Sequence, residues 1–281
     1  MGTETQIFNY ISQLLLQSGG QFASIGQAMF TGFATIMIVW FGVKSALTAG
    51  EVVGGFHFGK FAEFLLLIAF GYAMINYYNS PIPGFGASFP QLVTNQSKYL
   101  TTLIGDTALQ KAQTAITSYS QTIPSPSLAN ISATYEYVVV EIILAVWKFV
   151  SIAVNLLGPV ATAVAVLLGP LFIPFFIVPS LEFLFWGWLK FFLAYSFYSV
   201  VAAAVTFVMC NVVVYALQFP PFFPLPLDYT SMIGELAILL LGGAYVLLKV
   251  PTLTNHLFSG TAGLSPTSDI FSGIAAIGSL W

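Results

Sequence analysis

Few side chains here could do chemistry, and the sequence leaves those few widely scattered. His57 and His256 lie far apart, each in a short loop, with no second His at i+4 and no Cys-x-x-Cys nearby. That spacing does not make a metal site. Cys210 is the single cysteine and sits in the apolar run AVTFVMCNVVV, where it reads as a small buried hydrophobe with no disulfide partner. The glycine-rich GEVVGGFHFG, Gly50 to Gly59, follows no strand and lacks the Lys-Ser/Thr of a phosphate loop, so it reads as a flexible turn. No catalytic set, metal or cofactor is expected, and any work must come from a partner.

The ionisable groups inside apolar runs carry more information. Glu141 and Lys148 are seven residues apart, two turns along one helix face. Each costs a few kcal/mol at membrane depth, so that face is expected to meet protein or water, as a subunit interface or a conduit. Glu63 and Glu235 fall near the starts of apolar segments and read as snorkelling interfacial groups. Asn155 and Asn211 are candidates for hydrogen-bond glue between helices.

These groups need a scaffold, and composition names it. Of 281 residues, 58% are hydrophobic and 6% charged, with mean hydropathy +0.90; soluble domains carry roughly 25% charged residues. Lipid must be the solvent for most of the chain. Seven Lys, spread singly, and no Arg leave no patch for direct capture of nucleic acid.

A membrane span needs about 20 apolar residues. Residues 28–47, 61–78, 189–217 and 233–250 qualify. Before them, Ile7, Tyr10, Ile11, Leu14 and Leu15 share a face, so residues 1–27 are expected to form an interfacial amphipathic helix, begun at a Thr3–Gln6 capping-box spacing. Residues 28–78 then hold two spans and 79–134 an external loop. Within that loop Leu100, Leu103, Ile104, Ala108, Ala112, Ala115, Ile116 and Tyr119 recur at helical spacing, either a solvated helix on the bundle or a docking element. Asn95 and Asn130 head glycosylation sequons there. Residues 135–250 form the transmembrane core and 251–281 a cytoplasmic tail.

Residues 137–178 would reach about 63 Å as one helix. Gly158-Pro159 and Gly169-Pro170 are expected to interrupt it, leaving two irregular crossings or one crossing plus a broken helix. Lys placement arbitrates. With one net crossing, Lys44, Lys60, Lys190 and Lys249 lie inside and Lys98 and Lys111 outside. The fold class is therefore an all-α polytopic transmembrane helix bundle of five spans (alternatively six), with the amino terminus outside and the carboxyl terminus inside. The stiff apolar loop FPPFFPLPLDYT, Phe219 to Thr230, is then external, as an interfacial anchor or a subunit contact.

The stretch LLGPLFIPFFIVPSLEFLFWGWLK, Leu167 to Lys190, joins three prolines to two tryptophans. Broken backbone at membrane depth is tolerated only where neighbours satisfy the freed groups. Gly169 to Pro179 must therefore be packed in protein, while Glu182, Trp186, Trp188 and Lys190 mark the water boundary. This pattern resembles the signature region of the TrbL family, the polytopic inner-membrane subunits of type IV secretion and conjugation machines. The matching residues are Gly169, Pro170, Leu171, Phe172, Trp186, Trp188 and Lys190, and KVPTLTNHLFSG, Lys249 to Gly260, resembles the family's Val-Pro segment and later Gly. The amino-terminal half is similar only in layout, and the family's usual Arg in the cytoplasmic turn is absent, a departure that brings archaeal DNA-exchange relatives into view.

The resemblance implies a channel or platform subunit at the plasma (inner) membrane that supports pilus assembly and passage of DNA or protein. It implies a homo-oligomer around a central axis, a pentamer being one candidate state. It further implies a pilin or stalk subunit outside, type IV secretion ATPases inside, surrounding lipid, and passing contact with the transported DNA or protein. Glu141 and Lys148 are assigned to subunit contact, Gly169, Pro170, Trp186 and Trp188 to positioning the cytoplasmic turn, and Pro174, Lys190 and Pro251 join them as interface or channel residues. The rival reading is a secondary transporter of a small solute, which also uses broken helices, although no paired half is visible.

Overall fold

The computed structural model describes residues 3–48, 58–120, 131–218 and 229–259. Every element among them is helical: α1 (Thr3–Thr48), α2 (Phe58–Asn76), α3 (Phe89–Ser120), α4 (Ile131–Phe172), a 3₁₀ turn (Ile173–Ile177), α5 (Glu182–Gln218), α6 (Tyr229–Leu248) and α7 (Val250–Ser259). Five stretches are long and apolar enough to cross a membrane: Gly19–Leu47, Phe58–Asn76, Tyr137–Ile177, Glu182–Ala216 and Ala237–Phe258. The five-span, all-helical expectation holds. The glycine-rich turn around His57, the Asn130 sequon and most of the Phe219 to Thr230 loop lie outside the described residues.

Two expectations are corrected. The first is the interruption of α4 at Gly158-Pro159 and Gly169-Pro170. The helix runs through both prolines for 42 residues, and the chain breaks only after Phe172, in the 3₁₀ turn. A proline removes one internal hydrogen bond, and neighbouring helices can satisfy the carbonyl it frees. The second is a separate amino-terminal helix ending at residue 27. α1 continues as one helix of 46 residues. Gly19-Gly20 weakens it by only about 1 kcal/mol per glycine, too little to end a helix without a proline.

Packing falls into two successive hydrophobic cores threaded by α4 and α5. The first joins Val140 to Val154 of α4, Tyr198 to Val213 of α5, and Leu240, Ala244 and Leu247 of α6. The second joins Phe30 and Ala34 of α1, Met74 and Ile75 of α2, the 3₁₀ turn, and Phe185, Trp188 and Phe192 of α5. Interhelical contacts fix the directions: Asn155 of α4 reaches Thr206 of α5, while Trp188 of α5 reaches back to Ala165, so the two helices are antiparallel.

α3 begins earlier than its apolar stripe suggests. Its start is set by a capping exchange in which the Ser88 amide donates to Gln91 Oε1 at 2.9 Å. α3 packs on α5 more extensively than any other helix pair. Its stripe is only partly used: Ala112 is buried against Cys210 of α5, whereas Leu103 is exposed. Beyond residue 250, where the sequence suggests a tail, α7 folds back on α5 with Phe258 and Phe197 ring centroids 6.0 Å apart.

Candidate functional site

The proline-rich junction where α4 ends is closely packed. Pro170, Ile173, Pro174 and Ile177 are buried there, which matches the expectation that this segment is sealed in protein. Sealing it requires partners for the backbone. Pro170 has no amide hydrogen, so the Val166 carbonyl, four residues earlier, loses its helical donor. The Tyr78 hydroxyl, at the end of α2, donates to that carbonyl at 2.7 Å. One residue away, the indole Nε1 of Trp188 donates to the Ala165 carbonyl at 2.8 Å. Two side chains from two other helices thus serve the turn that proline disturbs. Tyr78 lies just beyond the α2 span, and burial pushes its phenol well above the ordinary value of 10.0, so it stays a donor.

Close approach makes these bonds geometrically available. A Cβ on Gly169 would overlap the Tyr78 hydroxyl and come within 2.7 Å of Trp188. A Cβ on Gly26 of α1 would overlap the Pro170 carbonyl, and one on Gly71 of α2 would stand 2.7 Å from Phe30. Gly26 lets the α1 and α4 backbones meet, and Gly169 and Gly71 make room for side chains of neighbouring elements. Aromatic rings fill the rest. Trp188 stacks on Phe192 with centroids 5.8 Å apart, and Phe176 packs on Phe185 at 4.8 Å.

The sequence-derived residues separate into two groups. Gly169, Pro170, Pro174 and Trp188 come together in this junction. Trp188 is 5% exposed, so its assignment to the water boundary is corrected: it is a core residue that bonds the α4 backbone. Trp186 is exposed and donates to Glu182 on its own helix. Lys190 and Pro251 are exposed, and neither joins the junction. Glu141 and Lys148 sit far along α4, both exposed, beside exposed Ile142 and Phe149. Asn155 does bridge helices, donating to Thr206 Oγ1 at 3.3 Å. Asn211, by contrast, donates to the Phe207 carbonyl within α5 and not across helices.

Sequence reasoning missed Gly26 and Phe30, and it places Tyr78 in an interfacial belt where the structure buries it against α4. Tyr78 acts on a carbonyl 88 residues away, and no local pattern announces that. The split of the two tryptophans did have a signal. Residues two apart on an α-helix point about 200° apart, so both indoles could not face one boundary.

A family model for the TrbL/VirB6 plasmid conjugal transfer protein matches residues 34–250, from within α1 to the start of α7. The chain belongs to the TrbL/VirB6 family. The match takes in the whole proline junction except the α1 residues Gly26 and Phe30. It also extends across the amino-terminal half, where the sequence alone offers only a likeness of layout. No curated protein matches the chain. Membership makes this TrbL/VirB6 protein a subunit of a conjugal transfer or type IV secretion complex, which contains other subunits, and the five apolar helices make it a multi-pass membrane protein.

Proposed function

We propose that this TrbL/VirB6 protein is the inner-membrane channel or platform subunit of its secretion machine. In this reading it assembles as a homo-oligomer around a central axis and supports pilus assembly and passage of DNA or protein. A pilin or stalk subunit meets its external end and the ATPases its cytoplasmic end.

The observation that carries the reading is a mismatch of length. The apolar stretch of α4 with the 3₁₀ turn covers 41 residues, about 61 Å at 1.5 Å per residue. The hydrocarbon core is about 30 Å thick, and even a tilt of about 40° leaves roughly 47 Å along the bilayer normal. The outer face of α4 stays apolar from Val138, Ile142 and Phe149 to Leu157, Val160 and Val164, and Glu141 and Lys148 are exposed within that run. Charged groups inside an apolar run are costly against lipid, so this face suits cover by further copies of the chain or other subunits of the machine. Glu141 and Lys148 lie on this face, where each can pair with its counterpart on a neighbouring copy.

Charge reversal tests the pairing. Glu141→Lys or Lys148→Glu alone is expected to reduce cross-linking between copies and substrate transfer by about tenfold or more, and the double reversal to restore much of both. Unchanged transfer and cross-linking in both single variants would remove these residues from the interface. Solute uptake by the protein alone in liposomes would instead favour the transporter reading.

A further inference from the structure

We propose that the cleft enclosed by α1, α3 and α4 binds the phosphate headgroup of a membrane lipid. The cleft has a volume of about 560 Å³, within the roughly 300–1,000 Å³ of small-molecule sites. Its polar side is formed by Asn79, Gln91, Thr94, Asn95, Lys98 and Thr162. Lys98 supplies a positive charge and no carboxylate lines the cleft among the described residues, so the site suits an anion with several oxygen acceptors. Gln91 and Thr94 belong to the first turns of α3, whose positive dipole end adds to that preference.

Three further observations narrow the anion to a lipid. First, the opposite wall is apolar, made of Pro159, Ala163, Val166, Leu167 and Pro170. A free inorganic ion gains nothing from such a wall, whereas the first methylenes of an acyl chain do. Second, the cleft lies where the apolar stretches of α1 and α2 end. The α1 span begins at Gly19 and the α2 span ends at Asn76, and Gly19, Tyr78 and Asn79 all line the cleft. The Asn79 Nδ2 donates to the Gly19 carbonyl at 3.2 Å, so the ends of the two spans are tied there. Third, Thr162 is unfinished. Thr31, Thr35 and Thr254 return their hydroxyls to the carbonyl four residues earlier, as helical threonines commonly do. Thr162 Oγ1 is buried at the wall of the cleft with no hydrogen-bond partner among the described residues. A headgroup oxygen or hydroxyl completes it. In the assembled site Lys98 pairs with the phosphate, the side chains of Gln91, Thr94 and Asn95 hold the remaining oxygens, and the acyl chains leave along α4.

Native mass spectrometry of the full chain in detergent, titrated with phosphatidylglycerol, tests the assignment. One phosphatidylglycerol is expected to be retained per chain. Lys98→Gln is expected to weaken retention about tenfold and Thr162→Val by a few-fold, with Lys111→Gln unchanged. Thr162→Val preserves shape and removes only an unpaired hydroxyl, so it separates binding from folding. Diacylglycerol, which lacks the phosphate, is expected not to be retained, and inorganic phosphate not to displace the lipid. Equal retention of phosphatidylglycerol by the native chain, Lys98→Gln and Thr162→Val would overturn the proposal. So would equal retention of diacylglycerol, and displacement by inorganic phosphate would make this an ion site and not a lipid site.

Discussion

Trp186 and Trp188 differ by two positions and by everything that matters energetically. Trp188 is buried and serves a backbone carbonyl, whereas Trp186 faces outward and bonds its own helix. Trp188→Phe removes that donor and the α5-to-α4 tie it makes. It is expected to destabilise the folded chain by about 1–3 kcal/mol. Trp186→Phe should lie within about 0.5 kcal/mol of the native chain, as most exposed substitutions do. Denaturation of both variants in detergent checks the pair, and equal loss in the two would contradict the separation.

Tyr78 adds a pH dependence. Its phenol titrates above its ordinary value when folded and near 10.0 when unfolded. Below pH 10 both states hold the proton and stability is unaffected. Above it the unfolded chain releases a proton that the folded chain retains, so stability falls as pH rises. A melting series from pH 8 to pH 11 should therefore decline more steeply for the native chain than for Tyr78→Phe, and parallel curves would show that Tyr78 does not supply the difference.

Among elements, the decisive quantity is how closely helices approach. Gly26 brings α1 against the backbone of Pro170, and both sides of that contact are main chain, so neither can swing away. Gly26→Ala should cost about 1–3 kcal/mol by overpacking, or force α1 off α4. Gly32→Ala, on the same helix with nothing within 4 Å of its added carbon, should be neutral or stabilising by up to about 1 kcal/mol through helix propensity. Thermal unfolding of the two variants decides, and a harmless Gly26→Ala would mean that the α1–α4 contact is loose.

The spans themselves were legible in the sequence, because about 20 apolar residues in lipid leave few alternatives. The fate of the prolines was not. Whether a proline ends a helix depends on donors such as Tyr78 and Trp188, which arrive from elsewhere in the chain. The burial of Gly169, Pro170, Ile173, Pro174 and Ile177 followed from backbone chemistry, although Pro179 at the end of the expected segment is exposed; the identity of the residues that achieve the burial had to be seen. The continuity of α1 was hidden for a related reason: Gly19-Gly20 marks a weak point, and only packing determines whether a weak point bends.

For the whole molecule, the apolar stretch of α4 is longer than one bilayer is thick, and its exposed face carries Glu141 and Lys148 among apolar side chains. A monomer would leave those charges against lipid. The most direct measurement is the mass of the particle released from native membranes with its lipid belt intact. Assembly predicts a closed multiple of the 30.3 kDa chain, carrying further secretion subunits. A particle holding one copy, from cells in which substrate transfer proceeds normally, would contradict it.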